Sequence, residues 1–204
     1  VITTATDVAG ELSFDTFAKK YDMAIENIGQ LKHISGALLA GKKVNVFTNK
    51  NAKELYPELA EEQKRGMIDI FSLSDFFKIY IRNKTSHIET YNIAVTDDKN
   101  VKTTPIMSPS TNIDNIVSDI PIVVIDEGFS LNECSTIPSS APILYLRPRT
   151  ICAGIGCKRN MEQKPIEEAL LQTLKEEGLH PLSLKCIATI PLKSDELGII
   201  GTAA

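Results

Sequence analysis

Apolar positions along the chain switch repeatedly between a helical period and short unbroken runs. In residues 27–41, NIGQLKHISGALLAG, Ile28, Leu31, Ile34 and Leu38 fall on one helical stripe. Asn27, followed three residues on by Gln30, makes a capping-box-like start, and Gly41 is the expected terminator. KKVNVFT (42–48) reads as a strand, NAKELYPELAEEQKR (51–65) as a short helix limited by Pro57, and MIDIF (67–71) follows. LSDFFKIYI (73–81) places Phe76, Phe77, Tyr80 and Ile81 on a buried helix face. YNIAVT (91–96), PIVVID (121–126) and PILYL (142–146) are apolar runs bounded by Asp, Asn, Pro and Ser, the mark of buried strands. Residues 103–114 and 128–142 read as loops, and no repeat or low-complexity tract interrupts the pattern.

The last quarter carries the clearest signal. TICAGIG (150–156) is a strand, PIEEALLQTLKEEG (165–178) a helix and LKCIATI (184–190) a second strand. Pro165 stands in the first turn, Ile166, Ala169, Leu170 and Leu174 share a face, and Gly178 stops the helix. Such a unit implies parallel pairing with a right-handed crossover. Two parallel strands alone bury too little to offset ordering entropy, so further strands are expected beyond Ala204. The turn at Gly154 and Gly156 then lies at the carboxyl end of a strand and beside a helix start, where free N–H groups favour anions. The fold class is therefore α/β, multi-domain, with parallel or mixed sheets flanked by helices and a C-terminal strand-helix-strand unit.

Composition narrows the function. The 204 residues are 43% hydrophobic and carry a net charge of −4, which argues against a general affinity for nucleic acid. No apolar run approaches the roughly 20 residues that span a bilayer. Cys134, Cys152, Cys157 and Cys186 lack C-x-x-C spacing. They read as reduced thiols of a cytoplasmic protein rather than as a zinc site. His33, His87 and His180 read as ordinary surface histidines. The chain opens at VITTATD and stops in an apolar segment, so it reads as part of something longer.

GIGCKRN (154–160) and, one helix and one strand later, ATIPLKSDELG (188–198) resemble the C-terminal domain of the cobalamin biosynthesis protein G family, the cobalt-precorrin-5A hydrolases. Gly154, Gly156, Cys157, Arg159, Lys193, Asp195, Glu196 and Gly198 match a pattern close to G-x-G-C-R-R-G followed by K-x-D-E-x-G. Lys158 stands for Arg, Asn160 for Gly, and Leu197 where Pro is common. VITTATD is similar to the end of the family's N-terminal domain. The resemblance thus divides the chain into residues 1–24, the end of that domain; 25–146, a middle α/β domain; and 147–204, the first part of the C-terminal domain.

The resemblance implies hydrolytic opening of the ring A lactone of cobalt-precorrin-5A, with loss of acetaldehyde, to give cobalt-precorrin-5B. The ligand implied is a cobalt tetrapyrrole that brings its own metal, so no cofactor is expected; a homo-oligomer is left open. Arg147, Arg149, Lys158, Arg159 and Lys164 gather within 18 residues, and such cations suit a polycarboxylate. The expected substrate-binding residues are Gly154, Gly156, Cys157, Lys158, Arg159 and Arg149; the expected catalytic ones are Lys193, Asp195 and Glu196. Lys193 would stabilise an oxyanion or act as acid, Asp195 or Glu196 would activate water, and a covalent route through Cys157 ranks lower.

Plainer readings stand beside these. The glycines can serve only a tight turn, and Cys157 can be a packing residue. Ser194 can cap a following helix whose dipole Asp195 and Glu196 complement. Two other functions are compatible: a non-catalytic tetrapyrrole-binding module, and a nucleotide-binding α/β domain, which would want a third glycine at Asn160.

Overall fold

The computed structural model describes residues 12–48, 51–75, 120–128 and 141–204. Helix α1 (Phe14–Lys20) leads into strand β1 (Met23–Ile25). A single 3-10 turn (Ile28–Gln30) precedes helix α2 (Leu31–Leu39), and strand β2 (Val44–Thr48) follows. Helices α3 (Ala52–Leu55) and α4 (Pro57–Arg65) connect to strand β3 (Ile68–Ser72). Strands β4 (Ile122–Ile125) and β5 (Ile143–Pro148) complete a five-stranded sheet of order β1-β5-β4-β2-β3. All neighbours pair parallel except β1, which runs antiparallel to β5 with Ala24 opposite Arg147. The molecule is α/β with a mixed sheet, as the alternation of periods predicts.

The sheet sits where the sequence is most apolar because parallel strands are covered on both faces. Every residue of β2 and of β4 is buried. Ile34 and Leu38 of α2 and Leu59 of α4 close over Val44, Val46, Ile68 and Val123. From α1, Phe14 and Phe17 join the same core. Each fully buried side chain of this kind contributes about 1.5–3 kcal/mol against leaving it in water.

Three local expectations change. Ile28, set on the helical stripe by spacing, is 68% exposed, because the first turn is 3-10 and rotates it off the α-helical face. Asn27 does not cap; its amide donates to Ile143 O and accepts from Tyr145 N, stitching the turn to β5. Pro57 does not limit a helix but opens one, at the position where a missing N–H costs nothing. Gly41 and Gly66 end α2 and α4 in the left-handed conformation. The expected helix face of Phe76, Phe77, Tyr80 and Ile81, the strand 91–96, the loop 103–114, the opening VITTATD, Cys134 and His87 lie outside the described residues.

The C-terminal unit comprises strand β6 (Ile151–Gly154), helix α5 (Gln163–Glu176), strand β7 (Leu184–Ala188) and helix α6 (Leu197–Ala203). β6 and β7 pair parallel, and Ile166 and Leu174 are the buried residues of α5. Gly178 ends α5 with φ +67°. Its junction with the large sheet is polar. Arg147 is fully buried, donates from Nε (2.8 Å) and Nη2 (2.6 Å) to Glu26 Oε2, and from Nη1 to Asp126 O. His180 Nε2 lies 3.7 Å from the same Glu26 oxygen, and His180 N donates to Glu127 O. Arg147 therefore belongs to the fold, not to the cationic cluster in which its sequence position places it. His180 is likewise largely covered rather than an ordinary surface histidine.

Candidate functional site

Two segments converge above β6 and β7. The first, residues 155–162, leaves β6 and enters α5; the second, residues 189–196, leaves β7 and enters α6. Ile155 N donates to Ala188 O at 2.8 Å, and Thr189 Oγ1 donates to Ile155 O at 2.8 Å, so the two exits are laced from their first residues.

Glu196 locks them further on. Its Oε2 accepts the Asn160 N–H at 2.9 Å, and its Oε1 accepts from Lys193 Nζ at 3.1 Å. Glu196 is 5% exposed and Lys193 only 14%. The Lys193 hydrogen bond, then that of Asn160 N–H, hold the Glu196 carboxyl below its ordinary range against the opposing effect of burial. Ser194 does not cap α6: its hydroxyl donates to Pro191 O, while Glu196 stands at the N-cap with its carboxylate turned away to Lys193 and Asn160.

The glycines separate into two kinds. A Cβ on Gly198 would lie 2.2 Å from Met161 O and 3.0 Å from Ile166 Cδ1, so only glycine lets α6 cross the segment after the turn. Gly201 is similarly close to the Gln163 side chain. Gly154 and Gly156 are different. Neither has a left-handed φ, and a Cβ on either would meet nothing within 4 Å. No tight turn requires them; they leave the face of the strand end clear. The left-handed residue of the turn is Asn160, φ +57°. Asn is among the few non-glycine residues that occupy this region readily, which explains how it stands where the motif has Gly.

Of the remaining expected residues, Arg159 and Asp195 face each other across the two segments, Nη1 to Oδ2 4.0 Å, both exposed. Lys158 is exposed beside Arg159, and Cys157 is half-buried. Cys157 also lines an apolar groove of about 470 Å³ between β6 and α5, with Gly154, Gly156, Ile166 and Leu170. Arg149 sits at the exit of β5, its N–H bonded to Asp22 O at 3.0 Å, and Lys164 faces Glu168 along α5 at 3.9 Å. Thus Arg159 meets Asp195 and Lys193 meets Glu196 across and along the two segments, while Gly154, Gly156 and Cys157 line the groove between β6 and α5. Thr189 and the N–H of Asn160 also join the site; only long-range pairing reveals them. Among the described residues no cluster of three or more His, Cys, Asp or Glu side chains could hold a metal, and no helix is long and apolar enough to cross a membrane.

Residues 12–105 match the family described as the cobalamin biosynthesis central region, and residues 151–204 match the cobalamin synthesis G C-terminus. The chain belongs to the cobalamin biosynthesis G family. Over all 204 residues it is 23% identical to a cobalt-precorrin-5A hydrolase of Priestia megaterium, of which it covers 44%. Over 73 residues, 36% of the chain, it is 34% identical to the cobalt-precorrin-5A hydrolase of Salmonella typhimurium (strain LT2), covering 20% of that protein. The chain thus spans less than half the length of these curated relatives. No solved structure matches it. Within this family the paired segments are the two stretches of the C-terminal region that the motif GIGCKRN and the motif KSDELG occupy.

Proposed function

We propose that the protein of which this chain forms part opens the ring A lactone of cobalt-precorrin-5A by hydrolysis, releasing acetaldehyde and leaving cobalt-precorrin-5B. The observation that carries the reading is Glu196, whose two oxygens join the family's two motifs into one polar site, the first motif opening with two unobstructed glycines. The names of the relatives supply the substrate class; the geometry supplies a division of labour.

Gly154 and Gly156 leave room for a flat macrocycle to approach the strand end, and Lys158 and Arg159 offer cations to its peripheral carboxylates. Lys193, oriented by Glu196, is the donor for the oxyanion that develops as water adds to the lactone carbonyl. A carboxylate whose pKa is lowered by two donors is a weak proton acceptor, so Glu196 is a positioning residue in this scheme. Asp195, exposed and across from Arg159, is the carboxylate left to take the proton of the attacking water. Cobalt enters as part of the substrate, and no resident cofactor is required. No nucleic acid or membrane takes part.

The test uses the full-length protein, with acetaldehyde release and corrinoid binding measured side by side. Asp195→Asn is expected to lower release by about 10²-fold or more with binding kept. Lys193→Met is expected to lower it by roughly 10²–10³-fold. Arg159→Ala is expected to weaken corrinoid binding by about 1.5–3 kcal/mol, less in high salt. Normal release by Asp195→Asn removes it as the base. Corrinoid binding with no release by the wild type favours a binding module, and saturable binding of NAD in place of corrinoid overturns the reading altogether.

A further inference from the structure

Cys152 of β6 and Cys186 of β7 are opposite each other in the strand register, both exposed, with their sulfurs 2.8 Å apart. This pairing is not what two regular parallel strands would give. Ile151 pairs with Leu184 but Cys152 pairs with Cys186, so Lys185 is an extra residue on β7. Without that bulge Cys152 would oppose Lys185, and side chains would alternate so that the two sulfurs fell on opposite faces of the sheet. Bulges are uncommon between parallel strands. Here one turns Lys185 and Cys186 both outward, and the exposed positions Cys152, Gly154, Cys186 and Ala188 share a face.

Adjacent strands lie about 4.7–4.9 Å apart, inside the ~4.4–6.8 Å Cα range that disulfides span. The two thiols are therefore preorganised to close without moving the backbone. Cys186 donates its S–H to Cys152 and is held above the ordinary thiol range chiefly by that bond.

We infer that Cys152 and Cys186 form a thiol–disulfide site, closing reversibly across β6 and β7 by exchange with a low-molecular-weight disulfide. The Cys152 thiolate attacks one sulfur of the small disulfide and expels the first small thiolate, leaving a mixed disulfide on Cys152. Cys186 then loses its proton to solvent, attacks the Cys152 sulfur and expels the second small thiolate. Two protein thiols are oxidised and one small disulfide is reduced to two thiols. The bond would pin the strand pair just beneath the two segments that Glu196 joins, two residues before Gly154 on one side and two before Ala188 on the other.

The experiment incubates the full-length protein with oxidised glutathione, blocks remaining thiols by alkylation and maps tryptic peptides by mass spectrometry. The expected product is peptide 150–158 linked to peptide 186–193, released by a dithiol reductant. Because Cys157 shares the first peptide, the same link must form in Cys157→Ser. Cys152→Ser is expected to stop at a glutathione adduct on Cys186. Glutathione adducts on both cysteines without the linked pair, a Cys152–Cys157 bond, or loss of the link in Cys157→Ser would each overturn the inference.

Discussion

Lys193 Nζ lies 3.1 Å from Glu196 Oε1, and both side chains are withdrawn from solvent. The ammonium is thus oriented by a carboxylate three residues on, whose second oxygen is committed to the Asn160 N–H of the other segment. Glu196→Gln keeps an acceptor for Asn160 but leaves Lys193 without its counter-charge. Release of acetaldehyde should fall, because the ammonium loses the charged contact that orients it. Substrate affinity should change little. Unchanged release would show that Lys193 does not depend on Glu196.

The same carboxyl has an acid signature. Its folded pKa lies below the ordinary 4.5, so its stabilisation is whole above that pH and fades as pH falls through the lower folded value. Thermal midpoints measured from about pH 6 to about pH 3 should fall less steeply in Glu196→Gln than in the wild type.

His180 gives a second window. Burial, then the nearby Arg147 charge, lower its pKa from 6.5, while its Nδ1 accepts the Leu182 N–H. The folded state therefore prefers the neutral ring. Stability from this group is present above pH 6.5 and is lost as pH falls through the depressed folded value. His180→Asn, which can still accept from Leu182, should flatten the loss of stability between about pH 7 and pH 5 in chemical denaturation.

Arg147→Ala should cost about 3–5 kcal/mol, because it leaves Glu26 facing a buried gap with no counter-charge. The pair Glu26→Gln with Arg147→Met should cost clearly less than the sum of the single changes, since the two groups share one interaction. Additive costs would mean that the ion pair is not the unit of stability.

Asn160→Gly should be close to neutral in stability, whereas Asn160→Ile, forced to φ +57°, should cost about 1–3 kcal/mol. Gly154→Ala makes the contrasting case. With no clash and no left-handed φ it should leave the unfolding midpoint unchanged or slightly raised. Any loss of corrinoid affinity in that variant would then report the ligand face directly.

What the sequence discloses depends on distance along the chain. β4 and the first half of β5 are legible because a strand covered on both faces reads as an apolar run, β2 because Val44, Val46 and Phe47 are strand-forming residues, and α5 because Ile166 and Leu174 repeat at helical spacing. Gly178 is legible because only a left-handed residue ends that helix cleanly. Arg147 is misread because its counter-charge, Glu26, is 121 residues away, and nothing local separates a buried arginine from its exposed neighbours. Glu196 is picked out by the motif, but its partner is not: the N–H it accepts lies 36 residues earlier, on a backbone turn. The bulge at Lys185 has no composition signal at all, since it is a fact about pairing.

Gly198 sets the spacing of the candidate site by a route that side chains cannot alter. Where α6 crosses the segment after the turn, the Gly198 backbone is seated against the backbone of Met161 and Glu162, whereas one turn later Gly201 faces only the movable end of the Gln163 side chain. The outward residues Leu197 and Ile200 are exposed and take no part in that seat. The gap between the two segments is therefore gauged by main-chain dimensions, like a spacer of fixed thickness. Substitutions at Leu197 and Ile200 on the outer face of α6 should leave the spacing of the two segments unchanged.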